Sequence, residues 1–140
     1  MSLSLVRPYF RTRLDGLGYE EWDDGFDFQN IPESIIDGSY HLTTGEITRI
    51  NTDHQVTYLS YPVFVRLYFD GFRNPKEAID EAVEQGETII SDIISIANSN
   101  AQGIKDVQFD SMEPAPKGIT NDNIILLDMA FSARVVIDRR

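Results

Sequence analysis

The side chains with chemical potential in this chain are two histidines, a tight acidic cluster, a row of helical glutamates and two strand-borne arginines. His41 and His54 are the only histidines. They are not at the i, i+4 spacing that lets a helix offer both imidazoles to one metal, so an ordinary surface or hydrogen-bonded role is the simpler reading for each. Asp23-Asp24-Gly25-Phe26-Asp27 invites a calcium reading. A calcium loop needs oxygen ligands at alternate positions and a glutamate at the twelfth, where Ser34 or Ile35 stands. Weak attraction of Mg²⁺ or Ca²⁺ is the most that cluster supports. Glu77, Glu81 and Glu84 share a helix face, but that face opposes the apolar stripe and is most simply solvated. There is no Gly-x-Ser-x-Gly elbow, phosphate-binding glycine loop or dinucleotide fingerprint. No catalytic residue, metal or cofactor is therefore assigned, and an enzyme with an acidic site of unfamiliar form is kept only as a minor reading.

Arg66 and Arg134 differ from these groups because both fall at even positions of predicted strands, among aromatic residues. One reading makes them solvent-reaching arginines. The other pairs them with the acidic stretch 20–27 of a neighbouring subunit, since a guanidinium fork suits carboxylates at an interface.

The elements that must hold these groups are legible from periodicity. In the C-terminal run, Ile125, Leu127, Met129, Phe131, Ala133, Val135 and Ile137 form an unbroken apolar parity, which predicts a long strand. The other parity mixes Asp128, Ser132 and Arg134 with Ile124, Leu126 and Val136. The segment 56–70 repeats the pattern, with Leu59, Tyr61, Val63, Val65, Leu67 and Phe69 on one side and Tyr58, Phe64, Arg66 and Tyr68 on the other. Pro62 argues for a bulge or an edge position there. Both sheet faces thus carry apolar area, and a chain this size has little material to cover two. That hints at packing against copies of itself.

A first helix, capped by Ser4, uses Leu3, Val6, Phe10, Leu14 and Leu17, and ends at Gly16 and Gly18. Residues 15–33 carry seven acids and no Lys or Arg, and read as a loop anchored by Trp22, Phe26 and Phe28. A short strand is predicted at 39–43 and a polar connection or hairpin tip at 45–55. Asn74-Pro75-Lys76-Glu77 starts a capped helix whose stripe runs from Ala78 through Ile96 and Ala97, ending near residues 98–100. A strand over 104–111 and a loop over 112–122 complete the chain. The prediction is a single α+β domain over residues 1–140, in the order α-β-β-α-β-β. Its mainly antiparallel sheet of about four strands carries two helices on one face.

The 140 residues contain no cysteine, and 12 basic against 23 acidic side chains give a net charge of −11. Disulfide stapling, zinc-thiolate sites and thiol nucleophiles are excluded, and attraction to DNA phosphates is disfavoured. An acidic wall suits a conduit past which DNA slides, and equally a soluble surface. The N-terminus lacks the apolar stretch of a signal peptide, and no run approaches the ~20 apolar residues of a membrane span. The expectation is a soluble protein of the cytoplasm with no membrane partner.

The N-terminal helix, the polar hairpin region, strand 56–70, the capped helix from Pro75 and the closing strand through Asn123-Ile-Ile-Leu-Leu-Asp-Met-Ala-Phe-Ser-Ala-Arg together resemble the tail terminator proteins of long-tailed bacteriophages, of the lambda minor tail protein U type. The likeness spans nearly the whole chain. It implies a non-catalytic virion protein, assembled in the host cytoplasm as a ring, usually hexameric. Such a ring caps the head-proximal end of the tail tube, halts its polymerisation and docks to the head-side neck. Its partners would be copies of itself, the tail tube protein and the neck or connector protein, with DNA only passing through the lumen. On this reading Tyr58, Phe64, Arg66, Tyr68, Leu126 and Arg134, with Asp23, Asp24 and Asp27, are assigned to subunit interfaces. Glu46, Thr48, Arg49, Asn51, Asp53, Glu113 and Lys117 are assigned to axial contacts with tube or neck, on the two polar connections. The rival readings are another neck or tail-completion ring protein and, from a different class, an acidic DNA mimic that inhibits a nuclease or repressor.

Overall fold

In a computed structural model the described residues are 3–21, 38–52, 56–70, 75–116 and 124–138. A 3-10 turn, Leu3–Leu5, leads into α1 (Val6–Gly16). There follow β1 (Glu20–Glu21), β2 (Ser39–Thr44), β3 (Thr48–Thr52), β4 (Val56–Asp70), α2 (Pro75–Ile93), α3 (Ile96–Ala101), β5 (Asp106–Pro116) and β6 (Ile124–Asp138). The strands form one sheet in the order β1-β2-β4-β6-β5, with β3 also paired to β4. Every pairing is antiparallel except β1 with β2. The class is α+β, as the periodicity predicts. The detail differs: the described residues hold six strands and three helices, where the periodicity predicts about four and two.

The sheet is organised by β4 and β6, which pair along their whole length from Val56 opposite Asp138 to Asp70 opposite Ile124. Side chains alternate across a strand, so the odd residues of both face one side. Val63, Val65, Leu67, Ile125, Leu127, Met129, Phe131, Ala133 and Val135 are all buried there. Helices α1 and α2 cover this side. Val6, Tyr9, Phe10 and Leu14 are buried on α1, whose Phe10 ring lies 5.4 Å from that of Phe131. Ala82, Ile89 and Ile93 are buried on α2, with Ile79 and Ile90 packed at the margin of the same core.

Gly86 lets α2 come close. A Cβ on it would sit 2.7 Å from Met112 Sδ and 2.9 Å from Leu127 Cδ2, inside contact distance.

Pro62 acts differently from the bulge or edge expected of it. Gly38 N donates to Tyr68 O at 2.9 Å and Gly45 N to Pro62 O at 3.1 Å, so even residues of β4 turn their backbone groups towards β2 and β3. Pro62 has no N–H to give on that side. The neighbouring strand lapses there: β2 pairs with residues 63–68 and β3 with residues 57–60. The connection predicted at 45–55 therefore contains an edge strand.

Two other expectations are corrected. Leu5, not Ser4, occupies the α1 cap position, with no side-chain cap hydrogen bond from Leu5. The long helix ends at Ile93, after which Ser95 caps α3 by accepting from Asn98 N. The free carbonyls at the end of α2 find local partners: Tyr9 Oη donates to Ile93 O at 2.5 Å and Asn98 Nδ2 to Asp92 O at 3.0 Å. Ile96 and Ala97, assigned to the buried stripe, are consequently exposed. Asn74, the predicted cap of α2, lies outside the described residues. Among the described residues no helix is long and apolar enough to cross a membrane.

Candidate functional site

The even residues of β4 and β6 form the second face of the sheet, with Ser39, His41 and Thr43 of β2 beside them. On β5 the register shifts between Phe109 and Ser111, leaving Asp110 as the extra residue of a bulge. Ser111 and Glu113 then fall on this same face. One row crosses four strands: His41 opposite Arg66, Arg66 opposite Asp128, Asp128 opposite Glu113. A concavity of about 690 Å³ opens over this row. His41, Phe64, Arg66, Ser111, Glu113 and Asp128 are among the residues lining it.

The arginines are held inside the chain. Arg66 donates through Nε to Asp128 Oδ1 at 2.7 Å and through Nη2 to Asp128 Oδ2 at 3.2 Å. Arg134 grips Asp106 in the same forked way, with Nε to Oδ1 at 2.6 Å and Nη2 to Oδ2. In each pair the hydrogen bond to the carboxylate lifts the guanidinium pKa above its ordinary range, against partial burial that works the other way. Both are directly cross-strand pairs, the arrangement in which opposite charges support a sheet. Neither reading of the sequence anticipates this: they are not simple solvent-reaching arginines, and their carboxylate partners come from β6 and β5 of the same chain.

Tyr58 is half-buried, with Lys105 Nζ over its ring at 4.2 Å, a cation–π contact. Phe64 is exposed. Tyr68 and Leu126, directly opposite one another, are already buried within the single chain at 2% and 1% exposure. They need no second subunit to cover them, which removes them from the expected interface patch.

The expected axial residues are not gathered on loops. Thr48, Arg49 and Asn51 belong to β3, and Glu113 belongs to β5. Glu46 is exposed in the short break between β2 and β3. The predicted loop from Met112 is strand as far as Pro116. Asp23, Asp24, Asp27, Asp53, His54 and Lys117 lie outside the described residues, as do Trp22, Phe26 and Phe28. Among the described residues no group of three or more His, Asp or Glu side chains could hold a metal ion.

The four-strand row escapes sequence reasoning because β4 and β6 are joined through α2, α3 and β5, so no turn fixes their register. The available signal is the even parity shared by Arg66 and Asp128.

No protein-family model matches this chain, and no curated protein matches it.

Proposed function

We propose that the chain is a structural subunit of a phage tail: a terminator that assembles as a ring, caps the tail tube, stops its growth and docks to the neck. The observation that carries this reading is the one-sidedness of the sheet. Among the described elements helices pack on one face only, while the other carries a concavity over the His41–Arg66–Asp128–Glu113 row, and its arginine charges are engaged in cross-strand pairs rather than held ready for a substrate. A plate of this kind, built from two fifteen-residue strands, is a rigid unit for repeating around an axis. The net charge of −11 suits a passage through which DNA moves without adhering. Termination needs two unlike axial surfaces, one matching the tube subunit and one refusing the next ring.

The test is an assembly reaction without the protein. Tubes overgrow and fail to join heads on this reading, whereas normal tail length and joining contradict it. Overgrowth alone separates a terminator from another neck or tail-completion ring protein, whose loss leaves length unchanged.

The acidic mimic retains one supporting observation. Glu77, Asp80, Glu81, Glu84 and Glu87 are all exposed along α2, about one carboxylate per helical turn or closer. High-affinity binding to a nuclease or repressor, competed by DNA, would favour that reading over the ring.

A further inference from the structure

We propose that the concavity on the even face binds a small organic cation, with an ammonium or amidinium group held at Glu113 and an apolar body lying against Phe64. The site is independent of the ring reading above, and each subunit of a ring would carry its own.

The shape follows from residue size. Two neighbouring rows of the sheet meet the concavity: Thr43, Phe64, Ala130 and Ser111 form one, and His41, Arg66, Asp128 and Glu113 the other. Ala130 and Ser111 are short, whereas Phe64 beside them and the whole second row are long, so the sheet is left low between taller walls. Val65 and Met129 also line the concavity, yet their side chains are buried on the helix side, at 1% and 2% exposure. They meet it through backbone already paired within the sheet. The volume of about 690 Å³ lies within the ~300–1,000 Å³ of small-molecule sites.

The preference for a cation follows from the charges left over. Arg66 engages Asp128 through both Nε and Nη2. Glu113 stands directly opposite Asp128, is exposed, and makes no hydrogen bond or ion pair among the described residues. Arg66, Asp128 and Glu113 together therefore carry one net negative charge, and like charges directly opposite each other on a sheet repel. A cation at Glu113 relieves that repulsion, and an anion adds to it. A metal ion is the poorer fit, since no group of three or more His, Asp or Glu side chains among the described residues could hold one.

The apolar end of the site is Phe64. At 43% exposure it is the one large apolar side chain exposed on the even face of β2, β4, β5 and β6 among the described residues, and Tyr68 and Leu126 beyond it are buried. A single exposed ring is an anchor for a small ligand, whereas a stable protein partner needs a patch of about 800 Å². Phe64 and Glu113 are two strands and one row apart, roughly 10 Å across the strands and 7 Å along them. The ligand class is thus an elongated amine with an apolar tail. The site moves Phe64 and Glu113 away from the interface and axial contacts expected of them.

The experiment uses the full chain and the probe 4-phenylbutylamine, followed by ligand-observed saturation-transfer NMR, which reads a monomer or a ring alike. The amine binds with a Kd of about 1 mM, as its size implies. 4-Phenylbutanol, of the same shape but uncharged, binds about fivefold more weakly, and the anion 4-phenylbutyrate more weakly still. Glu113→Gln weakens the amine about fivefold and removes its advantage over the alcohol, while Phe64→Ala weakens both alike. Equal binding of amine and alcohol by the parent, an amine affinity unchanged in Glu113→Gln, or no amine binding up to about 10 mM overturns the site. The parent comparison of amine with alcohol requires no variant to fold. An N-acetylated phenylalanyl-lysine amide binds no more tightly than the amine. Tighter binding of that peptide, lost in Glu113→Gln, gives the site to a basic protein segment and overturns the small-molecule assignment.

Discussion

The two faces of the sheet use alternate residues of the same strands, yet they are finished by different physics. The odd face is apolar without interruption on β6 and is closed by α1 and α2, with Phe131 touching Phe10 and Phe109 at ring distances of 5.4 and 5.8 Å. The even face has no helix among the described elements packed on it. It satisfies its polar groups locally, through Arg66 with Asp128, Arg134 with Asp106 and Ser132 with Asp110. Stability should therefore reside chiefly on the odd face and at the buried Tyr68–Leu126 pair, while the exposed polar part of the even face should tolerate change in the fold.

The largest effect should come from Phe131→Ala, which removes a fully buried ring and should cost on the order of 3 to 5 kcal/mol. A thermal midpoint that does not fall would show the core to be elsewhere.

The next effect should appear only in alkali. Burial pushes the Tyr9 phenol from its ordinary value near 10 up to about 12, and the nearby Arg13 opposes this only in part. The folded state then holds a proton that the unfolded chain has released. This contribution is fully present below pH 10 and is lost as pH rises through about 12, by up to about 1.4 kcal/mol per pH unit. Tyr9→Phe should cost about 1 kcal/mol at neutral pH, for the bond to Ile93 O. It should also make the alkaline decline shallower. Some decline should remain, because burial and the Asp15 carboxylate raise the Tyr40 phenol as well. Denaturant midpoints between pH 9 and 12 that fall in parallel for both proteins would contradict this.

Gly86→Ala sets helix propensity, a gain of about 1 kcal/mol, against overpacking on Met112 and Leu127 of about 1 to 3 kcal/mol. A net loss near 1 kcal/mol is expected, relieved when Met112 is also shortened to Ala. A stabilised single variant would mean that the helix sits further from the sheet.

The smallest effects belong to the even face. Arg66 and Asp128 remain 44% and 43% exposed, so Arg66→Gln should cost less than about 1 kcal/mol. The Arg134 pair, at 31% and 19%, should cost more when broken. Equal or reversed costs in urea titrations would count against ranking these pairs by exposure.

The sequence is most legible where parity is strict. Residues 56–70 and 124–138 announce their strands because one alternate set is nearly all apolar, and Asn74-Pro75 marks where α2 begins. It is least legible where a local signal has a second physical meaning. Pro114 and Pro116 read as loop residues, yet on an edge strand a missing outward N–H is no defect. The polar residues of β3 conceal a strand whose pairing comes from β4. Ile96 continues the apolar stripe of α2 although the helix has already broken at Ile94 and Ser95. The salt-bridge partners of Arg66 and Arg134 depend on a long-range register that no hairpin turn encodes.

The measurement that bears most directly on the account is the mass of the unmodified chain in solution, by sedimentation velocity across a wide concentration range. The account predicts a discrete ring of six subunits, as the terminator resemblance implies, with little material between monomer and ring. A single monomer boundary at every concentration would contradict it.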